Sequence, residues 1–344
     1  MIFLSVLRFP SVPKTSFSGS EATIFHTVRN SPPLSLVTGG AGFIGSHVCD
    51  VLLSGGHRVR ALDNFTTGSL DNVPEDIDLM VGDVRDLKTC RAACAGAKYV
   101  FHLAAMTSVP ESMQKPGEFF DVNIGGLTNM LHAAAEANVT RLVFSSSAAV
   151  YGLNSSGTVS EETPAAPISI YGLTKLQGEQ LCQFFSAHYL LDTISLRYFN
   201  VYGPRQRADS AYAAVVPKFL QAVDKGLRPI IFGDGEQSRD FCNVRDVARA
   251  NLLAAIAKGD QRGTVINIGT GLASSLNDLL YMITDASGSR LNPVHEEARA
   301  GDISFSCADI RRAQSVLGYR PQITLEAGLR AMLERTKEVG EQCR

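Results

Sequence analysis

The chain is 344 residues long, enough for two ordinary domains or one large one. With 45% apolar and 19% charged residues it is neither a disulfide miniprotein nor a largely disordered polymer. Thirty-two Lys and Arg against thirty-four Asp and Glu leave a formal charge of −2, too balanced for a protein that holds nucleic acid by counterion release, so any anionic ligand must meet a local cluster of cations. Seven cysteines without a CxxC pair suit neither a disulfide framework nor a zinc site, and no apolar run approaches the ~20 residues that span a bilayer. A reducing, cytoplasmic setting is expected, with no metal and no membrane partner.

Residues 1–33 carry Arg8, Lys14 and Arg29 against a single acid, Glu21, with many serines and four prolines. The apolar stretch before Arg8 is too short for a signal peptide and no charged region precedes it. The segment reads as a disordered extension or an early start, a transit segment being the other reading, and the fold is expected to begin at Leu34.

Leu34 to Thr38 is a short apolar strand, followed at once by Gly39-Gly40-Ala41-Gly42-Phe43-Ile44-Gly45 and an amphipathic run from Ser46 to Leu53. Strand, glycine turn and helix in that order form a phosphate cradle. Bare backbone N–H groups at a helix N-terminus face the anion, a Cβ at Gly42 would block them, and Gly45 lets helix and strand approach. A second strand, Arg58 to Leu62, ends in Asp63, eighteen residues past Gly45, where an acid accepts from both ribose hydroxyls and repels a 2′-phosphate. NAD is therefore favoured over NADP. The alternation continues: Leu79 to Val81 leads to Asp83, placed to meet the adenine amino group, and Tyr99 to Leu103 ends in Ala104 and Ala105. Helical spacing runs from Phe119 to Ala137, and Arg141 to Phe144 is the next buried strand. Such alternation implies a doubly wound parallel sheet with ligands at the carboxyl ends of its strands.

The last of those strands runs into Ser145-Ser146-Ser147-Ala148-Ala149-Val150-Tyr151-Gly152, and twenty-four residues past Ser147 stands Tyr171-Gly172-Leu173-Thr174-Lys175. If Tyr171 opens a helix, Lys175 lies one turn on and on the same face. A tyrosine becomes a base near pH 7 only if its phenolate is favoured by roughly 4 kcal/mol, about what an ammonium a few ångströms away supplies at an effective dielectric of 20.

With these motifs in this order, the chain from Leu34 to about Leu329 resembles the extended short-chain dehydrogenases/reductases. RYFNVYGPRQ from Arg197, GDGEQSRDF from Gly233 and RAGD from Arg299 make it most similar to the nucleotide-sugar 4-epimerases, within them to the UDP-N-acetylglucosamine and uronic acid branch. The resemblance implies a Rossmann domain over 34–196 to which 243–268 returns, with 197–242 and 269–344 forming a smaller, discontinuous α/β substrate lobe. It implies that Tyr171 takes the proton from the sugar O4 while a hydride leaves C4, that Ser147 hydrogen-bonds O4, and that Lys175 binds the nicotinamide ribose and depresses the tyrosine pKa. NAD contacts are implied for Gly39, Gly42, Phe43, Ile44, Gly45, Asp63, Asn64, Gly68, Asp83, Val84, Leu103, Ala104, Ala105, Ser145, Tyr171, Lys175 and Tyr198. UDP-sugar contacts are implied for Ser108, Ser147, Asn200, Arg239, Arg299, Asp302 and Ser306, with Asn123 a neighbour of both. A homodimer is expected on the same ground.

Ser306 stands where epimerases restricted to unacetylated hexoses have a bulky residue, so a 2-acetamido group is expected to fit. Sister dehydratases carry an Asp-Glu pair after the strand-end hydroxyl, and decarboxylases a Glu. Ala148 and Ala149 occupy those positions here, which argues against a lyase, as Asp63 argues against an NADPH-dependent reductase. A non-catalytic NAD-binding regulator is the alternative of another class, against which the retained Tyr171 and Lys175 speak. His102, His132 and Cys307 read as packed structural residues, and Ala308 to Gly318 as the last helix.

Overall fold

In β1, Leu34–Thr38, every residue is buried, because both faces of the strand are covered by helices, as a central parallel strand requires. A computed structural model describes residues 31–153, 157–207, 214–298, 301 and 303–342, and from Pro32 onward the chain forms one compact unit. Its seven-stranded sheet comprises β1, β2 (Arg58–Asp63), β3 (Asp78–Val81), β4 (Tyr99–His102), β5 (Arg141–Ser147), β6 (Asp192–Tyr198) and β7 (Thr264–Ile268). All pairings are parallel and the spatial order is β7-β6-β5-β4-β1-β2-β3. The strand order therefore reverses between β1 and β4, where a crevice opens at the carboxyl edge.

Alternate residues of each strand enter opposite cores. Val37, Phe101 and Ile194 pack beneath α1 (Phe43–Ser54) and the helix Val244–Ile256. Leu36, Val100 and Leu142 pack beneath the helices Leu87–Cys94, Gly126–Glu136 and Ile170–His188. Two strand arginines tie helices to the sheet by meeting their orphan C-terminal carbonyls. Arg60 bonds Asp78 and the carbonyls of Ala93 and Ala95, while Arg141 bonds Asp192 and the carbonyls of Ala254 and Ala257.

A third core, including Phe219, Ile231, Phe241 and Leu279, lies under the helices Val215–Asp224, Leu276–Ser287 and Leu325–Gln342. Here the strands are short. Phe241–Asn243 pairs with Asn200–Tyr202 and Val294–Glu296 with Ile230–Phe232, and a four-stranded sheet has the order Ser274–Ser275, Ser238–Arg239, Phe305–Ala308, Thr158–Val159.

The sequence expectations need correction at several boundaries. Arg197 and Tyr198, expected to open the smaller lobe, close β6 in the main sheet, because the Arg197 charge is neutralised by Glu179 and so does not end a buried strand. The helix expected from Ala308 begins only at Arg311, after the strand Phe305–Ala308, and it is not the last: beyond Pro321 runs Leu325–Gln342. Gly318 at φ 64° stops the shorter helix, and the longer one starts afresh past the proline. The run from Phe119 to Ala137 is divided, Phe120–Gly125 being a π-helical turn ahead of Gly126–Glu136. Residues 1–30 lie outside the described part of the structure. The six described cysteines are free and buried, and among the described residues no helix is long and apolar enough to cross a membrane.

Candidate active site

The glycine turn lies at the crevice. Gly39 has φ +70° and is so close to the start of the β4 loop that a Cβ would stand 2.9 Å from the Ala104 nitrogen; a Cβ on Gly45 would stand 2.0 Å from the Gly39 carbonyl oxygen. Gly42 is the N-cap of α1, with no side chain bonded to the helix end. That leaves the backbone of Phe43 and Ile44, the first residues of the helix, as the natural anion seat. Thr38, buried at the end of β1, ties the two sides of the crevice: its hydroxyl accepts from the Leu103 and Ala104 amides and bonds His102 Nδ1 at 2.9 Å. Burial pulls His102 down to a pKa of about 3, so it is neutral, as a structural histidine should be. His132 packs edge-on against Phe185.

Asp63 ends β2 with its carboxylate turned to the turn, Oδ2 accepting from the Ala41 amide at 2.9 Å and Oδ1 from the Phe65 amide at 2.8 Å. A carboxylate has about four acceptor positions, so two remain for hydroxyls. A Cβ on Gly68 would lie 3.1 Å from Asp63 Oδ1, which explains the small residue there. Asp83 differs from expectation. Arg85 chelates it through Nε and Nη2 at 3.0 and 2.7 Å and through its amide, and Asn64 Nδ2 adds a bond at 3.0 Å. These donors hold the carboxyl far below the usual range and occupy its acceptor positions, so an adenine amino group would have to share one. Val84 is buried beside it, its carbonyl accepting from Asn129.

β5 runs through to Ser147, three residues beyond its expected end, and its serines reach the carboxyl edge. The helix Ile170–His188 starts there, capped by Ser169, whose hydroxyl accepts from the Gly172 amide. Gly172 rests against the turn after β5, where a Cβ would be 2.6 Å from the Ala149 oxygen. This contact brings Tyr171 beside Ser147, whose side chain favours the phenolate. One turn along, Lys175 is 3% exposed; its Nζ donates to the Ser145 carbonyl at 2.7 Å and lies 5.7 Å from the centroid of the Tyr171 ring. Asn123, on the π-helical turn, donates to Thr174 Oγ1 and to the Met106 carbonyl, and so ties the loop after β4 to the same helix.

The electrostatics are less favourable than the sequence suggests. Burial raises the Tyr171 pKa above its ordinary value, opposed by the bond from Ser147, and burial also pulls Lys175 down to about 7. A lysine only half-charged near neutrality does not supply the full 4 kcal/mol by itself. An ammonium has three donors, and a buried one that meets a single backbone carbonyl suits further hydroxyl acceptors, which would restore its charge.

The remaining residues fall into place unevenly. Tyr198 is packed in the core and its hydroxyl donates to Asn251. Ser108 caps the helix Val109–Gln114, accepting from the Glu111 amide. Asn200 and Arg239 line one cavity of about 590 Å³, together with Lys218, Phe219 and Phe232. Ser306 pairs with Arg239 in the four-stranded sheet. Arg299 and Asp302 lie outside the described residues. The sequence reading missed Asp240, wholly buried beside Arg239. Its carboxylate accepts from the amides of Thr270, Gly271 and Ala308 and from the Thr270 hydroxyl, tying the turn after β7 and the end of the strand Phe305–Ala308 to the segment that carries Arg239. An acid next to an arginine in a segment of short apolar strands was the available signal. Thr38 was signalled likewise, as the polar residue at the end of an apolar strand.

A parallel sheet with its switch point at a glycine turn, an acid ending the second strand, and a Ser-Tyr-Lys group at the same edge define a dinucleotide-dependent enzyme of the Rossmann class. The chain belongs to the NAD dependent epimerase/dehydratase family, whose model matches residues 35–269. Among named relatives, it is 34% identical over 299 residues to the UDP-glucose 4-epimerase of Corynebacterium glutamicum, covering 84% of this chain and 91% of that protein. Among solved structures, it is similar to the UDP-N-acetylglucosamine 4-epimerase of Methanobrevibacter ruminantium M1 in complex with UDP-N-acetylmuramic acid. The TM-score is 0.85 at 36% identity, over 90% of this chain and 99% of that one. The UDP-glucose 4-epimerase of Thermotoga maritima with UDP-glucose has the same TM-score at 37% identity, over 89% of this chain and 99% of that one.

Proposed function

We propose that the protein is an NAD-dependent epimerase that inverts C4 of a UDP-hexose through a transient 4-keto sugar, taking UDP-N-acetylglucosamine and UDP-N-acetylgalactosamine and, beside them, UDP-glucose and UDP-galactose. The observation that carries this reading is the grouping of Ser147 at the end of β5 with Tyr171 and the buried Lys175 on one face of the facing helix, next to Ala148 and Ala149 rather than carboxylates. The cradle fits a dinucleotide: Gly39, Gly42 and Gly45 clear the path to the helix end, Asp63 has acceptor positions left for ribose hydroxyls, and Lys175 has donors left for them. Bound NAD supplies a hydride acceptor at C4 and the return of that hydride.

Tyr171 takes the O4 proton as the C4–H bond breaks and gives it back when the new C4–H bond forms on the other face. Ser147 holds O4 beside the phenol and relays the proton over the short gap. Lys175 orients the ribose and, once its ammonium is fully held, lowers the tyrosine pKa. Asn200 and Arg239 bind the diphosphate at the far end, with Arg299 added from its motif and Asp302 a further contact to the UDP-sugar, and Ser306 leaves room for the 2-acetamido group. The cofactor lobe is assigned to 34–198 with 244–268, and the substrate lobe to 199–243 and 269–344. The active unit is a homodimer paired through helices that include the one bearing Tyr171, which the molar mass from sedimentation equilibrium tests.

Separate incubations with UDP-N-acetylglucosamine, UDP-N-acetylglucosaminuronic acid and UDP-glucose, with the epimers resolved, test the reading. Interconversion of UDP-glucose and UDP-galactose alone overturns the acetamido assignment. Turnover of none of the three overturns the epimerase.

A further inference from the structure

Behind the reacting groups lies a buried polar chain that the mechanism above does not use. Glu179 is 2% exposed and stands on the helix Ile170–His188 one turn past Lys175 and two past Tyr171, so the three share a face. Its Oε1 accepts from the Ser146 hydroxyl at 2.5 Å and from Arg197 Nε at 2.8 Å, and its Oε2 accepts from Arg197 Nη2 at 2.7 Å. Arg197 lies over the ring of Tyr151, 4.7 Å from its centroid, and the Tyr151 hydroxyl donates to Asn267 on β7 at 2.7 Å. One carboxylate thus joins the catalytic helix to β5 and β6, while Tyr151 and Asn267 extend the link to β7.

A buried ion pair of this kind is a weak stabiliser, because desolvating both charges offsets their attraction, and an apolar pair of like volume often serves stability as well. Its position suggests another use. Ser146 is flanked by the two groups that define the site: the Ser145 carbonyl, which receives Lys175, and Ser147, which meets Tyr171. In the sheet register Ser146 faces Arg197 and Ser147 faces Tyr198, so the carboxylate grips both strands at the step just before their carboxyl ends.

We propose that Glu179, paired with Arg197 and bonded to Ser146, is a positioning residue that fixes the spacing between the strand-end groups of β5 and the Tyr171–Lys175 face of the helix. It touches neither sugar nor cofactor. Without it, helix and strand keep their fold but lose the sub-ångström alignment that proton transfer and ribose binding require. The proposal rests on the epimerase reading.

The test compares the wild-type holoenzyme with Ser146→Ala, which leaves the ion pair intact, and with Glu179→Met/Arg197→Met, which removes both charges together. The measurements are kcat, KM for the UDP-sugar, the rate at which NAD is lost in dialysis, and Tm. For Ser146→Ala we expect kcat lower by about 5-fold or more, KM within about 2-fold, faster loss of NAD, and an unchanged Tm. The paired substitution should cost about 10-fold or more in kcat, with Tm near that of wild type. Ser146→Ala with wild-type kcat and wild-type NAD retention overturns the proposal, even if the double variant does not fold. A folded double variant with wild-type kcat overturns it as well. Absence of epimerisation in the wild type itself counts against the epimerase reading instead, and NAD retention then decides the proposal alone.

Discussion

The two sides of the crevice are built by different means. Around the cofactor cradle, specificity lies in backbone: glycines too close to their neighbours for a Cβ, a helix end without a side-chain cap, and amides of Ala41 and Phe65 that aim Asp63. Around the 590 Å³ cavity it lies in side chains carried on a helix and on strands of two to four residues from distant segments, one of which is anchored by the buried carboxylate of Asp240, next to Arg239. A backbone site tolerates almost no change but accepts one kind of ligand, whereas a side-chain site on short strands can be retuned residue by residue. The Ser147–Tyr171–Lys175 group belongs to the first kind, placed by β5 and a capped helix.

If that contrast is right, the largest effects come from the cradle side. Tyr171→Phe should lower kcat by about 10³-fold or more with NAD retained, since a positioned acid–base group contributes about 10²–10⁴-fold. Steady-state kinetics together with the NAD content of the purified variant check this, and a variant of near wild-type rate would remove Tyr171 from the chemistry. Gly45→Ala should abolish NAD binding and destabilise by about 3 kcal/mol or more, because its Cβ would lie 2.0 Å from a carbonyl oxygen and no flexible side chain can yield. Denaturant unfolding and NAD titration read the two effects separately.

Lys175→Met should lose about 10²-fold in kcat and yet stabilise the NAD-free protein. Burial pulls the folded-state pKa from 10.5 to about 7, so between those values the unfolded chain binds the extra proton and stability rises with pH. Below about pH 7 the full penalty is present, of order 3–5 kcal/mol as an upper figure, and the methionine removes it. Unfolding of both proteins from pH 6 to pH 10 should show a rising stability in the wild type, absent from the variant; parallel profiles would refute the buried ammonium.

Smaller effects are expected across the crevice. Asp240→Asn presents an NH₂ to a nest of N–H donors and should cost about 1–3 kcal/mol, with KM for the UDP-sugar rising more than kcat falls. Ser306→Tyr should lower kcat/KM for acetamido sugars by about 10-fold relative to unacetylated ones, without change in Tm. A uniform loss on both sugars would mean that Ser306 does not face C2.

Much of the cradle side was legible because its signals are local. The glycine spacing, the acid ending β2 and the Tyr-x-x-x-Lys interval each lie within one strand–turn–helix unit, where period and chain direction alone place the residues. Asp83 shows the limit even there, since its capture by Arg85 and Asn64 depends on a loop conformation that no periodicity encodes. Arg197 was misplaced because the lobe boundary was drawn at the start of the RYFNVYGPRQ motif, whereas the buried strand runs on through Tyr198 with the Arg197 charge met by Glu179, a contact that no local pattern encodes.

By itself, then, the amino-acid sequence determined the doubly wound sheet, the dinucleotide cradle and the order of the reacting groups, because those rest on short-range pattern and on backbone sterics. Tertiary structure alone decided which residues from separate segments meet. It set Ser306 beside Arg239, bonded Asp240 to the turn at Thr270 and to the strand end at Ala308, and joined Ser146, Glu179 and Arg197 behind the site. Such contacts are chosen by how whole elements pack, and their free energy is not written in any one segment.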